Sequence, residues 1–242
     1  MKVGTVKDPP IRNVRNAWRD FDLAAACYEQ GNLLLDIESA MGQSLIPSLR
    51  GKRVIDVGCG TGRWSRWALQ EGAACLMQLD RSALMLRQAQ QGVVSQGQAW
   101  SIQADLNELP VSPASCDCVL ASLCLSYTDS LEKAISGMNQ CLRPGGVLYL
   151  SDMHPDSVRL GWKRTYALPD GDCLEPPYCV HSLEAYRKSL ARCELAISKW
   201  SECYIDERIR PHFEHAGHMD RYQRWSGAPL LLLVVAEKGA ER

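Results

Sequence analysis

The stretch RVIDVGCGTGRW, residues 53–64, decides the fold. Arg53–Cys59 is short, apolar and β-branched, and reads as a strand. Gly58, Gly60 and Gly62 stand at alternate positions, so the backbone there turns tightly and comes close to whatever faces it. Arg63–Gln70 then reads as a helix. Strand, glycine turn and helix, in that order, open a parallel α/β sheet.

The neighbouring segments repeat the unit. Ala73–Asp80 (AACLMQLD) is a second apolar strand ending in an acid, and Ser82 caps a helix predicted to reach about Val94. Gln98–Asp105 is a third strand, again ending in Asp, and Cys116–Cys124 is a fourth. Cys116 and Cys118, two apart, fall on one strand face and read as packing rather than metal ligands. Asp129 or Ser130 is predicted to cap a helix ending at Cys141, RPGG (143–146) is a turn, and Gly146–Asp152 is a fifth strand. Upstream, a loose arm (1–16) leads into one or two short helices within Trp18–Ala40. These break near Gly31, with Trp18, Phe21, Leu23, Ala26, Leu33, Leu34 and Ile37 as the apolar positions.

Downstream, residues 154–180 read as an irregular insertion, Ser182–Cys193 as a helix, and Leu195–Ile209 as a long strand. Pro211–Gly227 is a polar, His-rich connection before a last strand, Pro229–Lys238. The expected fold is α/β: a Rossmann-like, doubly wound, mostly parallel seven-stranded sheet with an antiparallel C-terminal hairpin. Residues 1–50 are expected to form a helical arm or lid. Residues 51–242 are expected to form the main domain, with a substrate-side insertion at about 154–181. In such sheets ligands sit outside the carboxyl ends of the strands, where Gly58, Asp80, Asp105 and Ser122 all fall.

The glycine spacing is GxGxG, whereas a dinucleotide fingerprint is GxGxxG. Arg63 occupies the last fingerprint position and would obstruct the close packing that a glycine there permits. Asp80 is placed to accept hydrogen bonds from both hydroxyls of a ribose, and Asp105 from an exocyclic adenine amine. Nothing in this arrangement needs a pyrophosphate site. Each residue also has a plainer reading: a tight turn for the glycines, a helix N-cap for Asp80, a turn cap for Asp105.

At VIDVGCGTGRW the chain resembles motif I of the class I methyltransferases, which bind S-adenosyl-L-methionine. LDRSALML, ADLNELPVSPASCDCVLASLCLSYTD and LRPGGVLYLSD are similar to the motifs that follow, in order. FDLAAACYEQ, HSLEAYRKSLARCEL and APLLLLVVAEK resemble elements of the ubiquinone/menaquinone-biosynthesis group, so the likeness covers roughly residues 18–238. The resemblance implies that the loop of Gly58, Cys59 and Gly60, with Gly62, holds the methionine moiety, and that Asp56 fixes this loop. It implies ribose binding by Asp80, with Arg81 and Met85 near the adenine and Asp105 and Leu106 flanking it. Ser122 falls beside the sulfonium and Tyr28 over the cofactor, although Tyr28 reads equally as packing and Met85 more readily as a core residue.

Methyl transfer from a sulfonium needs positioning above all. A general base helps for hydroxyl, ammonium or acidic-carbon acceptors. His154, directly after the fifth strand, is the favoured base, and His181, before a helix, is the second, with capping or packing as its alternative. His212, His215 and His218 form HxxHxxH, but flanking Pro211 and intervening Gly217 favour a polar loop over a metal site, and no metal is expected.

The 242 residues carry a formal net charge of −1, which supplies no general attraction for nucleic acid or an anionic membrane. No apolar run reaches membrane length, and the N-terminus lacks a signal core. With eleven cysteines and no CxxC pair, a reduced, cytoplasmic setting is expected.

The expected activity is methylation of a small, partly apolar or aromatic molecule, with a homodimer left open. An aromatic lid of Trp162, Tyr166 and Tyr178 would suit such a substrate. EPPY, residues 175–178, lies after the fifth strand and cannot serve as the amine-binding motif that follows the fourth. The alternatives are an NAD-dependent oxidoreductase, a non-catalytic S-adenosylmethionine-binding partner subunit, and an RNA or protein methylase.

Overall fold

A computed structural model describes residues 14–93, 98–168 and 170–240. Most of the expected N-terminal arm, and Val94 at the predicted helix end, lie outside these. The chain enters through a short 3-10 turn, Val14–Asn16, into α1 (Ala17–Ala24) and, after turns through Gly31, α2 (Leu33–Gln43). Gly31 has φ +59°, which breaks the helical run where expected. Leu23, expected on the apolar face, is instead exposed.

The alternating core follows: β1 (Arg53–Val57), α3 (Arg63–Gln70), β2 (Cys75–Asp80), α4 (Ala83–Gln91), β3 (Ala99–Gln103), β4 (Cys116–Ser122), α5 (Leu131–Cys141) and β5 (Leu142–Met153). Then come α6 (Pro155–Arg159), the two-residue strands β6 (Tyr166–Ala167) and β7 (Cys173–Leu174), and α7 (Leu183–Arg192). The chain ends with β8 (Leu195–Tyr204), α8 (Arg210–His215), α9 (Met219–Trp225) and β9 (Pro229–Lys238). The sheet has seven strands in the order β3-β2-β1-β4-β5-β9-β8. The first five run parallel and β9 pairs antiparallel with both β5 and β8, as a mostly parallel sheet with a C-terminal hairpin requires.

Strand order reverses between β1 and β4. That switch point opens a crevice at the carboxyl ends of both strands, where Gly58 and Ser122 lie. Both sheet faces are covered. Leu33, Ile37, Trp64, Ala68, Phe213 and Tyr222 pack on one side, with Leu120 and Leu233 of the sheet. Ile135, Met138, Tyr186 and Leu190 pack on the other, with Val119 and Leu232. Strands buried on both faces read as continuous apolar runs, which is why β4 and β9 were legible. Each fully buried Leu or Ile contributes roughly 1.5–3 kcal/mol.

Several expectations are corrected. The pairing of β4 with β5 jumps from Cys116↔Leu142 to Cys118↔Val147, so the RPGG turn bulges within β5 instead of preceding it. The bulge sends Cys116 into one core cluster and Cys118 into the other, not onto one face. Ser130 holds the α5 cap position without a side-chain capping bond; Thr128 Oγ1 accepts from its amide instead, at 2.9 Å.

The insertion at 154–180 contains α6 and the β6–β7 pair. The His-rich connection folds into α8 and α9 because Phe213 and Tyr222 are core residues. The strand expected to reach Ile209 stops at Tyr204. None of the eleven cysteines forms a disulfide, and no helix among the described residues is long and apolar enough to cross a membrane.

Candidate active site

The crevice holds a cavity of about 90 Å³. Its floor is a row of strand ends: Val57, Gly58 and Gly60 after β1, Asp80 and Arg81 after β2, Ala104, Asp105 and Leu106 after β3, and Ser122, Leu123 and Cys124 after β4. Met85 of α4 joins them. Two glycines are sterically required. A Cβ on Gly58 would lie 2.5 Å from Cys124 Cβ, and one on Gly62 would lie 3.0 Å from Ala89 of α4. Gly60 has φ +54°, and its nearest neighbour beyond the loop is the Tyr28 ring at 3.8 Å, so there the missing side chain opens space toward the cavity. Arg63 reaches across to α2, bonding Glu38 and Ser39, and at 3.1 Å to Ser122 at the end of β4.

Asp80 organises the loop. Its Oδ2 accepts from Gly60 N and its Oδ1 from Ser82 N, both at 2.8 Å. Burial pushes its pKa up while these backbone donors pull it back. A carboxylate offers about four acceptor positions, so two are left for a ligand. Asp105 takes the plainer of its two readings, since Oδ1 accepts from Asn107 N at 2.9 Å and caps a turn, while Oδ2 pairs with Arg81 at 2.8 Å at the cavity wall.

The roof comes from the N-terminal segment. Val14, Ala17, Trp18, Phe21 and Tyr28 line the cavity, with Tyr127. Phe21 packs edge-on against Tyr127 at 4.8 Å, and Tyr28 stacks on Tyr166 at 5.0 Å. Burial raises the pKa of Tyr28 and Tyr127, so both phenols stay neutral. Asp22 fastens α1 to α4, accepting from Ser82 Oγ at 2.5 Å and Leu84 N at 3.2 Å. Trp18 Nε1 is a buried donor without a hydrogen-bond partner among the described residues. Sequence reasoning missed Trp18, Phe21 and Tyr127 as site residues; Trp18 and Phe21, three apart on α1, were the available signal for the first two.

Two buried carboxylates brace the crevice. Glu38 of α2, fully buried, receives Tyr149 OH and Ser151 Oγ at 2.6 Å, Arg63 Nη2 at 2.7 Å and Trp64 Nε1 at 3.0 Å. Asp152 of β5 receives Arg164 Nη2 at 2.5 Å, and Ser126 Oγ and Tyr186 OH at 2.6 Å. Leu123 sits between these hubs with φ +54°, a strained setting for a branched side chain. Its amide donates to Ser151 O at 2.9 Å, which holds it there.

Of the residues singled out from sequence, Tyr28, Gly58, Gly60, Asp80, Arg81, Met85, Asp105, Leu106 and Ser122 meet at one wall. Asp56 and Cys59 lie behind it. Asp56 is buried and accepts from Ser65 Oγ at 2.6 Å, bracing the start of α3, and burial raises its pKa to about 7.

Neither candidate base lines the cavity. His154 is buried at the α6 N-cap, where Nδ1 accepts from Asp156 N at 3.2 Å and Nε2 lies 3.4 Å from Glu202. His181 Nε2 sits 3.1 and 3.0 Å from the carbonyls of Leu125 and Thr128, so its ring donates to them and ties down the segment after β4. His212 and His215 lie on α8 and His218 at the start of α9. Among the described residues no group of three or more His, Cys, Asp or Glu could hold a metal.

Known proteins are similar to this chain in sequence and in fold. A family described as "Methyltransferase domain" matches residues 55–150. A malonyl-[acyl-carrier protein] O-methyltransferase of Pectobacterium atrosepticum is 30% identical over 196 residues, covering 74% of each chain. One from Enterobacter lignolyticus is 34% identical over 146 residues, or 59% of this chain; the match spans only 57% of that relative's length.

An S-adenosylmethionine-dependent methyltransferase structure from Mesorhizobium loti aligns with a TM-score of 0.66 at 23% identity. It covers 83% of this chain and 97% of that one, a likeness of fold. None of these three carries a ubiquinone or menaquinone name, so that narrower subgroup rests on the resemblance of the N- and C-terminal segments alone.

Proposed function

The chain belongs to the class I S-adenosyl-L-methionine-dependent methyltransferases, and from that premise we propose that it methylates a carboxylate oxygen of a small acid carried as a thioester. The groups lining the cavity suit the cofactor's functional groups. Asp80 has acceptor capacity for ribose hydroxyls, Trp18 Nε1 is an unpartnered donor, and Gly60 leaves room for a ligand at the loop. Bound S-adenosyl-L-methionine supplies a methyl group made electrophilic by the sulfonium. Gly58 and Gly60 would hold its methionine part, Asp80 its ribose, and Arg81, Met85, Asp105 and Leu106 its adenine end.

The chemistry of the cavity wall carries the choice of acceptor. The wall has no histidine or lysine, its phenols and the Cys124 thiol are held protonated by burial, and Asp105 is paired with Arg81. Asp80 is engaged with two backbone amides. At this wall a hydroxyl or ammonium acceptor would find no free base. A carboxylate needs none, because its oxygen already carries the attacking pair. As the new C–O bond forms the S–C bond breaks, its electron pair stays on sulfur, and the two opposite charges cancel without any proton moving. The names of the curated relatives above fit the same reaction class.

The test is methyl transfer to a malonyl thioester, read as methyl ester and S-adenosylhomocysteine by mass spectrometry, with the acetyl thioester as the carboxylate-free control. Product from malonyl alone supports the reading. Cofactor binding without turnover would favour the non-catalytic alternative. With no base in the wall, kcat is expected to stay flat between about pH 6 and 9, because a carboxyl is fully ionised there. A bell centred near neutrality would restore a histidine to the mechanism.

A further inference from the structure

A second concavity lies behind the first, sharing Tyr28 and Leu123 with it. Its volume is about 520 Å³, within the range of roughly 300–1,000 Å³ that small-molecule sites occupy. Leu33, Leu34, Trp162 and Trp225 give it an apolar lining. Four cations stand round it: Lys163, Arg164, Arg221 and Arg224, against the single acid Asp220. Lys163 is paired with Glu175 and Arg164 with Asp152. Arg221 and Arg224 are exposed, lie three residues apart on α9, and make no ion pair among the described residues. The Arg224 guanidinium lies 5.4 Å from the centroid of Trp225. The chain as a whole is near neutral, so this is a local positive excess.

We propose that this groove is the acceptor site, and that Arg221 and Arg224 bind a phosphate group on the acceptor's carrying arm. The inference rests on the carboxylate-methylation reading for the reacting end but not for the anion. Residues three apart on a helix face the same way, and two guanidinium forks suit the several oxygens of a phosphate. The apolar lining takes the uncharged stretch of the arm. Tyr28 and Leu123, common to both concavities, mark where the acceptor's carboxylate meets the cofactor, and the Tyr28–Tyr166 stack must open to admit it.

The test compares two malonyl thioesters with the same reacting end: malonyl-coenzyme A, which carries phosphates, and malonyl-N-acetylcysteamine, which does not. Wild type is expected to favour the phosphate-bearing thioester in kcat/KM. In R221E/R224E that preference is expected to fall by about tenfold or more, the worth of one or two charge-assisted hydrogen bonds. Cofactor affinity by calorimetry reports that the fold is intact.

An unchanged preference overturns the proposal, and so does an equal loss for both thioesters. If wild type methylates neither, the carboxylate reading fails by itself. The groove is then decided by titrating coenzyme A against Trp fluorescence. Binding that R221E/R224E abolishes sustains the phosphate site, and no binding to wild type ends it.

Discussion

The cavity floor is assembled in chain order from strand ends between Val57 and Cys124, while its roof arrives from Val14–Tyr28 and is fastened to the floor by side chains. The floor follows from local rules: an apolar strand, a turn that only glycine can make, an acid at the strand end. The roof depends on partners far along the chain: Asp22 with Ser82, Glu38 with Tyr149 and Ser151, Phe21 with Tyr127. Variants in the floor should therefore change ligand affinity, and variants in the braces should change folding.

Glu38→Ala is the strongest way to break this contrast. It removes the buried acceptor of the part-buried Arg63 guanidinium and of three further donors, and should cost about 3–5 kcal/mol in urea unfolding. A loss below about 1 kcal/mol would show that the brace is dispensable.

Asp56→Asn follows. Burial raises the Asp56 pKa from 3.8 to about 7, so the folded state binds the proton more tightly than the unfolded chain. Its contribution to stability therefore falls as pH rises from about 4 to about 7 and is constant above that. The amide variant, which can still accept from Ser65, should be more stable than wild type by about 1–4 kcal/mol at pH 8, converging with it near pH 4. A difference independent of pH would remove burial of the charge as the cause.

In the floor, Asp80→Ala should weaken S-adenosylmethionine binding by about 1.5–3 kcal/mol in calorimetry. Unchanged affinity would displace the ribose from this carboxylate. In the roof, Trp18→Phe keeps the ring and removes an unpartnered donor. Cofactor affinity should drop by about 0.5–1.5 kcal/mol with no loss of folding stability. Lower stability without an affinity change would give that nitrogen a structural role.

The periodicity of residues 53–152 made the parallel sheet and its active edge readable, because a strand buried on both faces must be apolar throughout and must end where its acid meets solvent or ligand. The short helices α8 and α9 were not readable. Their core residues, Phe213 and Tyr222, are isolated among histidines and arginines and carry no period. The histidines were misplaced for a related reason. Position next to a strand end says that a side chain is near the crevice, not which way it points, and His154 turns to Glu202 while His181 turns to two carbonyls.

By itself, then, the sequence determined the succession of strands from β1 to β5 along the chain, the glycine bend, and the convergence of Asp80 and Asp105 at one sheet edge, all of which follow from short-range sterics and burial. Tertiary structure alone decided which aromatics close the cavity, that Glu38 and Asp152 brace it, and that neither His154 nor His181 lines it. Those outcomes depend on contacts between residues tens to more than a hundred positions apart, which packing selects and no local pattern records.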